Sequence, residues 1–419
     1  MKKRQALVYT FLLILTTPYL LDSSLAAPTN YEKPPILDAK SLLNGDLING
    51  PHHSVINDVQ NDGFFNHYTV KSEFGEFEAA SALDLRLLVH EINVIAQLKA
   101  VDTDDTLVEG FKDSAGDTVA GVKHLFSDPK GTMERAGEGL SGLFNRAKGT
   151  IGKRELTDAE DNRIKQLIGI SKAKGEIATK YGVNVYSRNI VLQKELNRLA
   201  QADFFGGLGV GLVKVAIPGA GGLLLTASDT ARLLNETINT TPASKLWLQN
   251  KQKLLLMGVD ADTIELFLNN PVFSPAQQTV LVTALEQLEG VANRELFLKV
   301  ALQAGSDTMA TVVTRIAVMS AGYHRNISKL KSFAPIARIS HALGKDGSVI
   351  VFLPADHIIW SEGFGGGIDT LMERDGKMPR GAGFELWTLG DVSKRTQSEL
   401  DSMGWKIHTD VEKQLDTKR

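Results

Sequence analysis

The chain has 419 residues, a formal charge of −3 and no cysteine. Its length accommodates two or three domains of about 100–200 residues each. The near-neutral balance and the lack of a basic run argue against nucleic acid as a partner, and the missing cysteine excludes disulfides and a cysteine-linked lipid anchor.

The first residues follow the order of a secretory signal peptide. Lys2, Lys3 and Arg4 supply a positive start, an apolar run extends from Ala6 to Leu21, and Ser24-Leu25-Ala26 puts small residues at a cleavage site. The run is shorter than the roughly 20 residues a bilayer crossing prefers, so cleavage after Ala26 is expected. The mature protein is then expected in the periplasm of a Gram-negative cell or secreted, and peripheral to a membrane if the apolar segments below contact one.

Residues 27–50 read as loop. Strand patterns follow at 54–60, 64–71 and 74–79, and Asn61-Asp62-Gly63 is a turn signal between the first two. Ser81 has the chemistry of a helix N-cap, with Leu83, Leu87, Leu88, Ile92, Ile95 and Leu98 behind it at helical spacing. Residues 27–100 are thus expected as a small β hairpin covered by one helix.

Residues 101–155 change character. Phe111, Val122, Met133 and Phe144 recur every 11 residues. That spacing makes three helical turns at about 3.67 residues each, so the four positions form a nearly straight stripe. Glycines throughout the region each cost a helix about 1 kcal/mol relative to alanine, so the stripe is expected to need a surface to lie on. Helices packed on the body of the protein fit this pattern, and so does an amphipathic contact with lipid.

Residues 156–332 read as a helical domain, with Gly182 between two helices and Asp260 or Asp262 capping a later one. Inside it, segment 204–227 is apolar and glycine-rich with a single charge, Lys214, and Pro218-Gly219 past its middle. A buried helical hairpin, a membrane span and a conditionally inserting hairpin all fit. Lys214 would cost a span about 2.5–3.5 kcal/mol. Residues 333–419 are expected as a small α/β module, with strands at 348–353, 384–389 and 405–409 and a helix capped by Ser393. The fold class expected is mainly α with an N-terminal β hairpin and a C-terminal α/β module, α+β overall.

Catalytic signatures are sparse. His90-Glu91 starts a zinc-protease motif, but Val94 stands where the second histidine belongs. His52, His53 and His67 with Asp58 and Asp62 lack a spacing that defines a metal site. Ser171-x-x-Lys174 and Ser328-x-x-Lys331 lack the companion elements of serine–lysine acyl transferases. Asp356, His357 and Glu362 are the candidate catalytic residues, beside a loop whose Gly363, Gly365, Gly366 and Gly367 amides can hold an anion if a helix starts near Ile368. No cofactor is indicated.

The leading expectation is an exported, non-enzymatic helical protein that meets an envelope protein or a membrane surface. Its contact residues are Phe111, Val122, Met133, Phe144, Phe204, Phe205, Leu208, Leu212 and Ile217. One alternative is an exported enzyme with its site in the C-terminal module. Another is a toxin-like protein that inserts segment 204–227.

Overall fold

The computed structural model describes residues 31–101, 172–206, 229–334, 341–373 and 383–416. The expected signal peptide, the stripe of Phe111, Val122, Met133 and Phe144, and Leu208, Leu212 and Ile217 lie outside the described residues. Phe204 and Phe205 fall in the last turn of a described helix. The class is mixed α+β. Among the described residues, no helix is long and apolar enough to cross a membrane.

The strands expected near the front belong to a larger antiparallel sheet. Its strands are β1 (Ile36–Asp38), β2 (Asn49–Gly50), β3 (His53–Val55), β4 (Asp58–Asn61), β5 (Asn66–Ser72) and β6 (Gly75–Ala79). They run β1-β4-β5-β3-β2, with β6 paired to β5. Two short helices, α1 (Ala39–Leu42) and α2 (Gly45–Ile48), occupy the stretch expected as loop. The expected strand over 54–60 is broken at Ile56-Asn57, where the Ile56 amide donates to Thr69 O and the Asn57 carbonyl accepts from Ala39. Alternation along β5 sends Tyr68 and Val70 into a core shared with Leu85, Val89 and Ile92 of helix α3 (Ala82–Lys99). Ser81 caps α3, its Oγ accepting the Asp84 amide at 3.1 Å.

The opposite side of α3 packs on a helical body. Val94, Ile95 and Leu98 meet a helix over 172–181, here α4, and α5 (Ile190–Gly206). Gly182 ends α4 with φ +66°. The body continues through α6 (Asp229–Thr240), α7 (Ala243–Leu256), α8 (Ala261–Leu268), α9 (Pro275–Gln287), α10 (Leu296–Ala301) and α11 (Asp307–Asn326). Asp260 caps α8. The span 279–288 reads as amphipathic, yet α9 is buried nearly all round, because α7 and α11 pack on it from different sides. Two asparagines of glycosylation-type triplets are buried: Asn239 donates to Val183 O and Asn326 to Leu415 O.

The C-terminal sheet runs β13-β11-β9-β8-β7. Strands β9 (Val349–Leu353), β11 (Phe384–Thr388) and β13 (Trp405–His408) are parallel. Strands β7 (Leu330–Ala334) and β8 (His341–Gly344), which sequence reading missed, add antiparallel pairs. Helices α12 (Glu362–Glu373) and α13 (Lys394–Ser402) cover one face through Phe364, Ile368 and Leu400. On the other face, Ile350, Phe352 and Trp387 meet Tyr323 of α11 and Leu415 of α14 (Glu412–Asp416). A two-stranded parallel pair, β10 (His357–Ile358) and β12 (Asp391–Val392), lies beside the sheet.

The two sheets are joined by backbone bonds. The β4–β5 turn, with Gly63 at φ +110°, presents its carbonyls to the strand after β9. Phe64 O accepts from the Asp356 and His357 amides, and Gly63 O from Ile359. In return, the Asp356 carboxylate accepts the Asn66 amide at 3.0 Å and the Ala82 amide at 3.0 Å. Gly390 allows this: a Cβ there would lie 1.9 Å from Asp356 O. Asp356→Ala should orphan two amides and lower unfolding free energy by on the order of 3 kcal/mol. Denaturant titration checks it, and a loss under about 1 kcal/mol would show that the junction does not rest on this carboxylate.

Candidate functional site

The expected catalytic group does not converge. Asp356 turns to the amides of Asn66 and Ala82, and burial pushes its carboxyl up to about 6, against the pull of those amides and of Arg315. His357 turns to Asp391, whose carboxylate meets its Nδ1. That hydrogen bond and charge raise the His357 pKa against the cost of burial. Glu362 is exposed at the first position of α12.

The helix does not begin near Ile368 as expected. It starts at Glu362, so Gly363, Gly365, Gly366 and Gly367 lie within its opening turns. The Gly365 amide donates to Ser361 O, and the Phe364 amide to Ser361 Oγ. The reason is Ser361, an N-cap three residues past the end of β10 at Ile358.

The histidines of the front sheet are dispersed: His52 pairs with Glu73 at 2.7 Å and His67 with Asp62 at 2.9 Å. Among the described residues, no group of three or more metal-type side chains is arranged to hold an ion. Lys174 binds Gln193 Oε1 at 2.6 Å, and burial lowers its pKa to about 8; Ser171 lies outside the described residues.

A different place gathers polar groups. A cleft of about 580 Å³ opens between β6, α3, the connection from α4 to α5 and the N-terminal ends of α9 and α11. Helix spacing explains the α3 wall. Asp84, Leu87, Leu88 and Glu91 sit at intervals of three and four, so they share one stripe. The α11 wall comes from Asp307, Thr311 and Arg315, at four-residue intervals. The α4–α5 connection adds Tyr186, Ser187, Arg188 and Asn189.

Ion pairs fix these walls. Arg188 spans from the connection to Asp307 at 3.0 Å and to Val272 O at 2.8 Å. Gln277 of α9 donates to Asp307 and Thr311, each at 3.0 Å. Arg315, 5 % exposed, reaches Asp84 at 2.7 Å and Ser81 Oγ at 3.1 Å, so α11 is clamped to the start of α3. Its Nε has no partner among the described residues.

Glu91 is the unusual titrating group. It accepts from Asn189 Nδ2 at 3.1 Å and from the Ser187 side chain, yet burial dominates and pushes its carboxyl up to about 7. His90 beside it is held by Tyr181 O at 3.0 Å and Gly182 O at 3.2 Å through Nε2. Two carbonyl acceptors require Nε2 to carry the hydrogen, and Nδ1 of the neutral ring, an acceptor, has no partner among the described residues. Burial lowers the His90 pKa against the effect of those carbonyls.

Sequence reading passed over this cleft, although it singled out His90-Glu91. The available signal was the stripe of Asp84 and Glu91, two carboxylates two turns apart on a helix otherwise set to bury leucines. Comparison with known proteins finds no family model, no curated protein and no solved structure that the chain matches.

Glu91 generates a test. The folded protein holds its proton more tightly than the unfolded chain, whose carboxyl titrates near 4.5. Its contribution to stability is therefore full below about pH 4.5 and is lost as pH rises through about 7. Asp356 shifts in the same direction, so the comparison must be with a variant. Glu91→Gln keeps the shape without the charge and should gain on the parent by on the order of 2 kcal/mol between about pH 5 and about pH 8. Equal pH profiles of denaturant midpoint would show that Glu91 ionises freely.

Proposed function

We propose that the protein is an exported binding protein of the cell envelope that holds a partner in this cleft and is not an enzyme. The observation that supports it is the state of the cleft's charges. Each ionisable group that α3 and α11 contribute is pinned to a neighbour: Asp84 to Arg315, Asp307 to Arg188, Glu91 to Asn189 and His90 to Tyr181 O. Groups held this way build a rigid, preorganised wall, which lowers the ordering cost of binding. The export part rests on the pattern of residues 1–26. Contact with a membrane surface or envelope protein rests on the 11-residue stripe and segment 204–227.

A second reading, an exported enzyme with its site in the C-terminal module, is favoured by one observation. His357 is oriented by Asp391, as a general base is oriented by a carboxylate.

Two measurements test the first reading. Mass spectrometry of the expressed protein should find a mature chain beginning at Ala27 in the envelope fraction; a cytoplasmic chain that keeps residues 1–26 would sink the export part. A photo-crosslinking side chain placed at Leu88 in the cleft should capture an envelope component, whereas one at Leu256, 82 % exposed on α7, should not. Capture from Leu256 alone would place binding elsewhere.

A further inference from the structure

The cleft meets β6 in an informative way. Its wall includes Phe74, Gly75, Glu76, Phe77 and Glu78, five consecutive residues. Side chains on a strand alternate between faces, so a cavity lying over one face would be lined by every second residue. An unbroken run means that the cavity lies along the edge, where the backbone is.

That edge is open. Strand β6 pairs with β5 from Tyr68↔Ala79 to Ser72↔Gly75. Among the described residues, its backbone makes no hydrogen bond outside that ladder. The Ser72↔Gly75 pair closes a two-residue turn, so the antiparallel alternation directs the amides and carbonyls of Glu76 and Glu78 outward. By contrast, the outer edge of β7 is covered, since Phe333 N and Lys331 O bond the Ala292 backbone.

Charge selects what such an edge accepts. Glu76 and Glu78 are exposed on one face of β6, and Phe77 packs toward α3 on the other. A strand laid beside β6 would place alternate side chains next to Glu76 and Glu78, and the rest next to Phe77, Leu87 and Leu88. Opposite charges on neighbouring strands stabilise pairing and like charges oppose it. Two copies of β6 would set carboxylate beside carboxylate, which disfavours self-pairing.

We propose that β6 is a docking edge that receives an extended segment of a partner protein in which basic and apolar residues alternate. The segment adds a strand to the front sheet inside the cleft. Its basic side chains meet Glu76 and Glu78, and its apolar ones cover Phe77 and the α3 leucines. This is strand addition, in which backbone bonds supply affinity and alternate side chains supply selectivity. The inference rests on the reading of the cleft as a binding site and names the partner's chemistry.

The test uses the full-length mature protein and a short fluorescent peptide of alternating lysine and valine. Fluorescence polarisation should show binding at least about tenfold tighter than that of the glutamate–valine counterpart. Methylating one alternating set of peptide amides should weaken binding about tenfold or more, whereas methylating the other set should change it little, because only one set faces β6. Hydrogen exchange at Glu76 and Glu78 should be fast in the free protein and slow in the complex. The exposed double substitution Glu76→Lys with Glu78→Lys should abolish the preference for the basic peptide without moving the thermal midpoint. Glu78→Pro, which removes an outward amide only, should also weaken binding.

Slow exchange at Glu76 and Glu78 in the free protein would overturn the proposal, since the chain would then cover its own edge. Equal effects of the two methylated sets would overturn it as well. If no peptide binds but Leu88 still cross-links an envelope component, strand addition fails and the binding reading stands. If neither happens, both fail.

Discussion

The structure hangs on one buried carboxylate. Asp356 sits where the front sheet, the N-terminus of α3 and the C-terminal sheet meet, and it accepts an amide from each of Asn66 and Ala82. A negative group at a helix start is favoured by the helix dipole and by the unpaired amides there. Burial works the other way and raises the carboxyl to about 6, so the junction holds its charge only because these partners surround it. Arg315 adds a second tie nearby, since it anchors α11 to Ser81 and Asp84 in the first turn of the same helix. The direction of α3 is set at this point, and α3 forms one wall of the cleft.

Local chemistry was readable where a single residue type decides the geometry. Ser81, Asp260 and Ser393 cap helices because a short side-chain oxygen satisfies an amide that nothing else reaches. Asn61-Asp62-Gly63 makes its turn because Gly63 tolerates φ +110° and Asp62 accepts the Phe64 and Phe65 amides. The strand at 349–353 was readable from an unbroken apolar run, which a parallel strand covered on both faces requires. What could not be read was set by distant partners. Strands as short as Ile36–Asp38 exist because β4 is beside them. The start of α12 was misread because its glycines look like a loop, and only the capping by Ser361 with the burial of Phe364 and Ile368 holds them in a helix. Strand β7 depends on the Ala292 backbone along one edge and β8 along the other.

The site was less legible than the fold, for the same reason. Asp356 and His357 are neighbours in sequence and point to partners in different parts of the molecule. Sequence proximity suggested a dyad, but adjacent residues on an extended backbone project to opposite sides. The cleft draws Glu91, Arg188, Asp307 and Arg315 from segments that nothing in the sequence links. The pairing of Arg188 with Asp307, of Arg315 with Asp84 and of Asn189 with Glu91 brings them together. The raised carboxyl of Glu91 is likewise a product of packing, because its immediate neighbours in sequence carry no charge that would shift it.

The contacts that join the two ends of the chain have a consequence for the order of events during folding. Glu32 takes the Ser393 hydroxyl and the Trp360 amide, and Arg86 pairs with Glu412 across 326 positions. Closing loops of that length is slow, since the entropy is lost before any contact repays it. A chain delivered N-terminus first would present the Asn61–Asn66 turn and the start of α3 long before their partners emerge. Until residues 356–359 arrive, the turn and the first amides of α3 lack the partners that tie them to the C-terminal sheet, although the sheet can already pack on α3. The early half must therefore wait in an unfinished form, with its strand edges protected by other means. A chain without disulfides has no covalent bond to hold that state together, so its final closure depends on completion of the last helix and strand.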